Sequence, residues 1–413
     1  MRETFSKDFF AGNRERLRQL FTGTAPIVIT ANGLLQRNGD TAFKFRQDSS
    51  FWYLTGVEEP DIILVMDKGK DYLIVPSRDA VRETFDGSID ISKLVRTSGI
   101  ETILDEKTGW KQLNARLKRV KHVATLGANS SYSEHFGLYA NPAREVLQRR
   151  LKAENDDFEL LDLRDHLARL RSIKQPVELA AIQRAIDCTI DGVKYVTSKS
   201  RLAKYEFEYE IEADMLRQYR RAGATGNAFD PIVVSGARAC VMHNIANDAQ
   251  LSADDLLLLD IGAEVSNYAA DISRTISLRT QSPPSTRQQA IHAAVCDVQD
   301  YALGLLKPGA LMREYEGQVM AYMGEKLREL GLIRTISDEE VRRYYPHATS
   351  HFLGLDAHDV GDYRQPLAAG MVLTCEPGIY VPEEGIGVRI EDDILITETG
   401  HEVLSARLSR ELV

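Results

Sequence analysis

Residues 256 to 278 read LLLLDIGAEVSNYAADISRTISL, two apolar runs that each carry one aspartate, Asp260 and Asp271, where a strand would otherwise be wholly buried. The segment predicts a β-hairpin. If its turn centres on Val265 and Ser266, the two aspartates stand directly opposite, with Cβ atoms ~4.5–5.5 Å apart. If the turn centres on Ser266 and Asn267, they are diagonal neighbours on the same face. Either register holds two like charges beside an apolar core, which is costly unless a cation compensates them or one carboxyl keeps its proton. The alternative is a pair of edge strands with both aspartates in water.

The same anomaly recurs near the C-terminus. In VLTCEPGIY, 372 to 380, Glu376 follows an apolar run and precedes Pro377-Gly378, which should end the strand at a turn. In VRIEDDILIT, 388 to 397, Glu391 lies between aliphatic residues that favour its burial. Alternation puts Arg389, Glu391 and Asp393 on one face, with a surface position expected for Asp393. Between these and the hairpin, HATSHFLGLDAHD, 347 to 359, holds three of the nine histidines, His347, His351 and His358. Gly354 and the turn-like LDAHD argue against one continuous helix there.

Four carboxylates and one of the three histidines could converge on metal. A mostly hard-oxygen ligand set favours Mn²⁺ or a similar divalent ion over a thiolate-type zinc site. Four negative charges are balanced by two divalent ions, and a dinuclear site is suited to hydrolysis.

The rest of the chain sets the frame. At 413 residues two domains are expected. Composition is ordinary for a globular protein, and a net charge of −10 without a basic run leaves no nucleic-acid footprint. The charged N-terminal segment lacks the apolar core of a signal peptide, and no apolar run reaches the ~18 residues that span a membrane. Cys188, Cys240, Cys296 and Cys375 form no CxxC pair, so a cytoplasmic location is expected. In the first part, PIVIT (26 to 30), FWYLTG (51 to 56), DIILVMD (61 to 67), DYLIVPS (71 to 77) and HVATLG (122 to 127) read as strands among amphipathic helices. That alternation predicts an α/β domain over 1–165. Residues 166–413 are expected to form the second domain, the boundary falling within the helical run LLDLRDHLARLRSI, 160 to 173, ahead of a second run at KQPVELAAIQRAIDCTIDGVKYV. Helices at 285 to 305, behind a Ser285-x-x-Gln288 capping box, and at 311 to 330 precede a strand-rich end.

Taken together, LLLLDIG, ADISRT, HATSHFLGLDAHDVG, TCEPGIY and GVRIEDDILIT stand in the order found in the pita-bread metallopeptidases. The chain resembles their Xaa-Pro aminopeptidase and prolidase branch. RNGDTAFKFRQDSSFWYLTGVEEPD, 37 to 61, looks like that branch's N-terminal domain, and SIKQPVELAAIQRAI, 172 to 186, like its first catalytic helix. The resemblance implies an α+β chain, a pita-bread catalytic domain behind a creatinase/prolidase-type α/β domain. It implies two divalent ions, Mn²⁺ foremost with Co²⁺ or Zn²⁺ as substitutes, on Asp260, Asp271, His351, Glu376 and Glu391. A hydroxide bridging them would attack the amide carbonyl before proline, with Glu376 as general base. His243, in SGARACVMHN, and His358 would act on the substrate or the developing oxyanion, and His347, Tyr380 and Arg389 would line the site.

The resemblance leaves the exopeptidase type open. An aminopeptidase takes Xaa-Pro from longer peptides, whereas a prolidase takes dipeptides, and only fourteen residues separate Glu376 from Glu391. A binding scaffold of this fold would have lost ligands, and none is missing. The branch also implies a homodimer or homotetramer in which the N-terminal domain reaches a partner's site, with Asp40 and Trp52 at that entrance.

Overall fold

The computed structural model describes residues 5–128, 137–154, 157–278 and 283–412. The chain divides into two compact units, one from Phe5 to Leu170 and one from Arg171 onward.

The first unit is built on a six-stranded mixed sheet in the order Thr102–Asp105, Lys70–Val75, Ile63–Asp67, Ile27–Thr30, His122–Thr125, Glu159–Asp162. Ile27–Thr30 pairs antiparallel with Ile63–Asp67 and parallel with His122–Thr125. Val28, Val65, Ile74 and Val123 cover one core with Trp110 and Leu113 of the helix Glu106–Leu117. Four of the five expected strands are present, but FWYLTG is not one of them. Ser49–Thr55 is a helix, capped by the Asp48 carboxylate on the N–H of Phe51 at 2.9 Å and closed by Gly56 in the left-handed region. All seven of its residues are buried, so no helical periodicity marks it in the sequence. Trp52 is therefore not at an entrance: it is 5% exposed and meets Phe10 edge-on at 5.3 Å. Asp40 is exposed, in the turn of the small hairpin Gln36–Asn38/Thr41–Ala42. The run at 160 to 173 also divides, into the strand Glu159–Asp162 and the helix Arg164–Ser172.

In the second unit the hairpin forms as Leu256–Ile261 against Ile272–Ser277, flanked by Ile232–Ser235. Asp260 faces Ser273, which settles the register: the turn is Ser266-Asn267, and the two aspartates are diagonal neighbours. Both turn residues have positive φ, 51° and 69°, the type I′ geometry that matches strand twist. Beyond Gly262 the ribbon continues as Ala263–Val265 with Tyr268–Ala269 and packs on the helix Pro176–Val196, where Thr189 accepts the N–H of Ala263 at 2.9 Å. Two C-terminal groups of strands follow. Val372–Cys375 pairs with Asp392–Ile396, and Gly378–Val381 pairs with Ile386–Arg389. Helices Thr286–Leu305 and Met312–Glu329 cover them, burying Val295, Val298, Val319 and Met323 with Leu373, Ile379, Val388 and Ile394. The capping box at Ser285 forms as the sequence predicts.

Candidate active site

Each sequence-selected carboxylate sits where its strand ends or turns. Asp260 and Asp271 project from the hairpin, Glu376 follows Val372–Cys375, and Glu391 lies in the two-residue link between Ile386–Arg389 and Asp392–Ile396. Asp271, His351 and Glu391, all buried, offer ligand atoms within 4.8 Å of one another. His351 Nε2 is 3.6 Å from Asp271 and 3.4 Å from Glu376. The second aspartate is held differently. Arg389 donates to its Oδ2 at 2.6 Å, while Oδ1 of Asp260 is buried without a hydrogen-bond partner.

The protonation states follow from this crowding. Burial, with Glu391 and Asp260 adding like charge, raises the Asp271 carboxyl well above the usual carboxylate range. Glu376 is raised by burial and Glu391. Glu391 is pushed up to about 8, by burial and then Asp260, with Arg389 and Ser273 opposing. His351 moves the other way, to about 3, because burial and His358 disfavour its cation. Its Nδ1 is 3.0 Å from the carbonyl of Phe352. A neutral ring must donate there, which leaves the Nε2 lone pair facing the carboxylates. A neutral imidazole, an orphaned carboxylate oxygen and mutually repelling carboxylates fit divalent metal.

Around this cluster the other histidines are distributed as a wall. His347, also held near 3 by burial, places Nδ1 at 2.8 Å from the Ala348 carbonyl and Nε2 at 2.8 Å from the Tyr380 hydroxyl. Tyr380 accepts from Arg389 at 2.7 Å, so its own proton goes to His347. Arg389 and Tyr380 are both buried, and Arg389 also donates to Ser273 Oγ at 3.1 Å. Ser273 in turn donates its hydroxyl hydrogen bond to Glu391 at 2.7 Å. His358 is exposed and stacks on His351 with ring centroids 3.8 Å apart. His243 is exposed beyond the short turn Gly236–Cys240 and lies near enough to His347 and His358 to disfavour their cations.

Asp393 is a correction. It is fully buried, and its carboxylate accepts the backbone N–H of Asp271 at 3.2 Å. Residues 390 and 391 join strands of two different sheets, so alternation does not carry through them. Glu316 was not selected from the sequence. Its partners are backbone N–H groups of Thr349 and Ser350, which no side-chain pattern records.

Residues 180–398 match the family model for metallopeptidase family M24, and residues 10–124 match that for the aminopeptidase P N-terminal domain. The chain belongs to metallopeptidase family M24, with its catalytic half behind an aminopeptidase P-type N-terminal domain. It is 33% identical to an Xaa-Pro aminopeptidase of Haemophilus influenzae, over 98% of this chain and 96% of that protein. Among solved structures it is similar to Escherichia coli aminopeptidase P with the inhibitor Pro-Leu, at a TM-score of 0.84 and 29% identity over 99% of this chain and 97% of that one. A zinc-substituted form of the E. coli enzyme in complex with product gives 0.83 at the same identity and coverage.

Proposed function

We propose that the protein is an Xaa-Pro aminopeptidase, a hydrolase that removes the first residue of peptides whose second residue is proline. The observation that carries the reading is the convergence of Asp271, Glu391 and Glu376 on the free Nε2 of a neutral His351. Full-length similarity to an Xaa-Pro aminopeptidase supports the substrate class.

Asp260, Asp271, His351, Glu376 and Glu391 would hold two divalent ions, Mn²⁺ being favoured by the oxygen-rich set, with Co²⁺ or Zn²⁺ as substitutes. Bound there, the ions supply an activated water and polarise the scissile carbonyl. The chain's own residues do the rest. Glu376 takes the proton of the attacking water and passes it to the leaving proline nitrogen. His243 and His358, on the exposed side, donate hydrogen bonds to the substrate and to the oxygen that gains charge. His347, oriented by Tyr380 and Arg389, lines the substrate side. Arg389 is the fixed cation of the site and aims Asp260 through their 2.6 Å ion pair.

A dipeptidase is the second reading. It is favoured by the tight Gly378–Val381/Ile386–Arg389 hairpin, closed by the short turn Pro382–Glu384, which leaves little chain between Glu376 and Glu391 to recognise peptide ends. Mass spectrometry of products from Ala-Pro and Ala-Pro-Ala with Mn²⁺-loaded protein separates the two. Alanine from the tripeptide, with the dipeptide spared, establishes the aminopeptidase; cleavage of the dipeptide alone makes the protein a prolidase.

The reading extends to a homodimer or homotetramer in which the Asp40 hairpin limits access to a partner's site. No helix among the described residues is long and apolar enough to cross a membrane. The four cysteines are free, in keeping with the reducing cytoplasm.

A further inference from the structure

We propose that Glu316 is a positioning residue of this site: its carboxylate grips the backbone between His347 and His351 and thereby fixes both imidazoles. The inference rests on the roles given above to those histidines.

Glu316 lies on the helix Met312–Glu329, far in sequence from every site residue. Its two oxygens accept the N–H of Thr349 at 3.1 and 2.9 Å, the N–H of Ser350 at 3.1 Å and the hydroxyl of Thr349 at 3.0 Å. Thr349 has one hydroxyl proton, given to Glu316, so the Tyr345 hydroxyl 2.6 Å away donates to it. The carbonyl of Thr349 accepts the N–H of Glu376 at 2.8 Å. One residue, two positions from His347 and two from His351, is thus clamped by Glu316 on one side and braces Glu376 on the other. Tyr315, next to Glu316 on the helix, reaches Ser350 Oγ at 2.9 Å and holds the same segment.

The chemistry of the clamp is demanding. Burial works against ionised Glu316; the N–H and hydroxyl donors favour it, with the charge of Arg342 adding to them. Its charge also adds to the repulsion on Glu376. A side chain kept for packing alone would be cheaper as an apolar residue of similar volume. Glutamine cannot replace it. The carboxamide has one acceptor oxygen, and its NH₂ would face a donor. Any such change forces the segment to move, carrying Nε2 of His351 away from Asp271 and Glu376 and Nε2 of His347 away from Tyr380.

The test compares native protein with Glu316→Gln and with Thr349→Ser, which keeps both threonine donors. Zn²⁺ affinity of the metal-free chain is read by calorimetry, and kcat and KM on Ala-Pro-Ala are read with metal saturating, well below each melting temperature. For Glu316→Gln, Zn²⁺ affinity weakens and kcat falls by about tenfold or more, with KM within about threefold, the scale found when groups behind a metal ligand are removed. Thr349→Ser restores native behaviour to within about twofold. If Glu316→Gln only melts earlier, with affinity and kcat within about twofold of native, the clamp is structural and the proposal is overturned. Should that variant fail to fold, Thr349→Val, which removes the hydroxyl that donates to Glu316 and accepts from Tyr345, takes its place beside Tyr345→Phe, which removes the Tyr345 contact alone: a fall in kcat or affinity of about threefold beyond that of Tyr345→Phe supports the clamp and none overturns it. If native protein spares the peptide, the aminopeptidase reading falls, and the Zn²⁺ arm alone decides Glu316.

Discussion

Glu391 must be ionised to bind metal, yet burial and Asp260 hold its proton up to about pH 8. Loading metal at neutral pH therefore exchanges protons for cations. Adding Zn²⁺ to weakly buffered metal-free protein at pH 7 should acidify the solution, and Glu391→Gln should release fewer protons under a pH electrode. The same shift has a stability sign. The folded value lies above the ordinary 4.5 of a glutamate, so the proton's contribution is complete below about 4.5 and lost as pH rises through about 8. The melting temperature of metal-free native protein, measured relative to Glu391→Gln, should fall between pH 5 and 9; a constant difference would contradict the assignment. Asp271→Asn should lower activity by at least about a hundredfold through lost metal affinity, with circular dichroism unchanged. The carboxylates were legible because a charge inside an aliphatic strand is visible as an expense in sequence alone. Asp393 was misread because the break between two sheets at 390 and 391 has no marker in residue type. Glu316 escaped because backbone donors leave none either.

At the scale of elements, the hairpin's Gly262 has no room for a side chain: a Cβ there would meet the Ala270 carbonyl oxygen at 1.8 Å. Gly262→Ala must displace the chain beside Asp271. It should cost about 1–3 kcal/mol of stability in urea titration, and Zn²⁺ affinity should fall with it. The unbroken run of four leucines ahead of Asp260, and the capping box at Ser285, made these elements readable. Two registers remained open for the hairpin because Val265-Ser266 and Ser266-Asn267 are both passable turns; positive φ at both Ser266 and Asn267 selects the second. The helix Ser49–Thr55 was hidden for the opposite reason. Buried on every face, it shows neither a period of two nor one of 3.6.

For the molecule as a whole, metal and fold are linked. The proposed ligands come from strands and links between residues 260 and 391, so a denatured chain offers no assembled site. Metal at a hundred times its Kd should add about 2.7 kcal/mol to stability, and a chelator should both abolish activity and lower Tm. Sedimentation at micromolar concentration should give a dimer or tetramer, and a monomer would remove the proposed role of the Asp40 hairpin. The two-domain plan was readable from alternating strands and helices early in the chain and carboxylate-bearing strands late in it. Trp52 was placed wrongly, since exposure depends on neighbours such as Phe10 that sequence does not bring together. The hairpin also defines what kind of genetic change the site withstands. Substitutions in its turn leave Asp260 and Asp271 on a shared face, whereas an inserted or deleted codon between Asp260 and Ser266 would turn one of them to the opposite face. Along this stretch, length rather than composition is the inherited quantity that cannot drift.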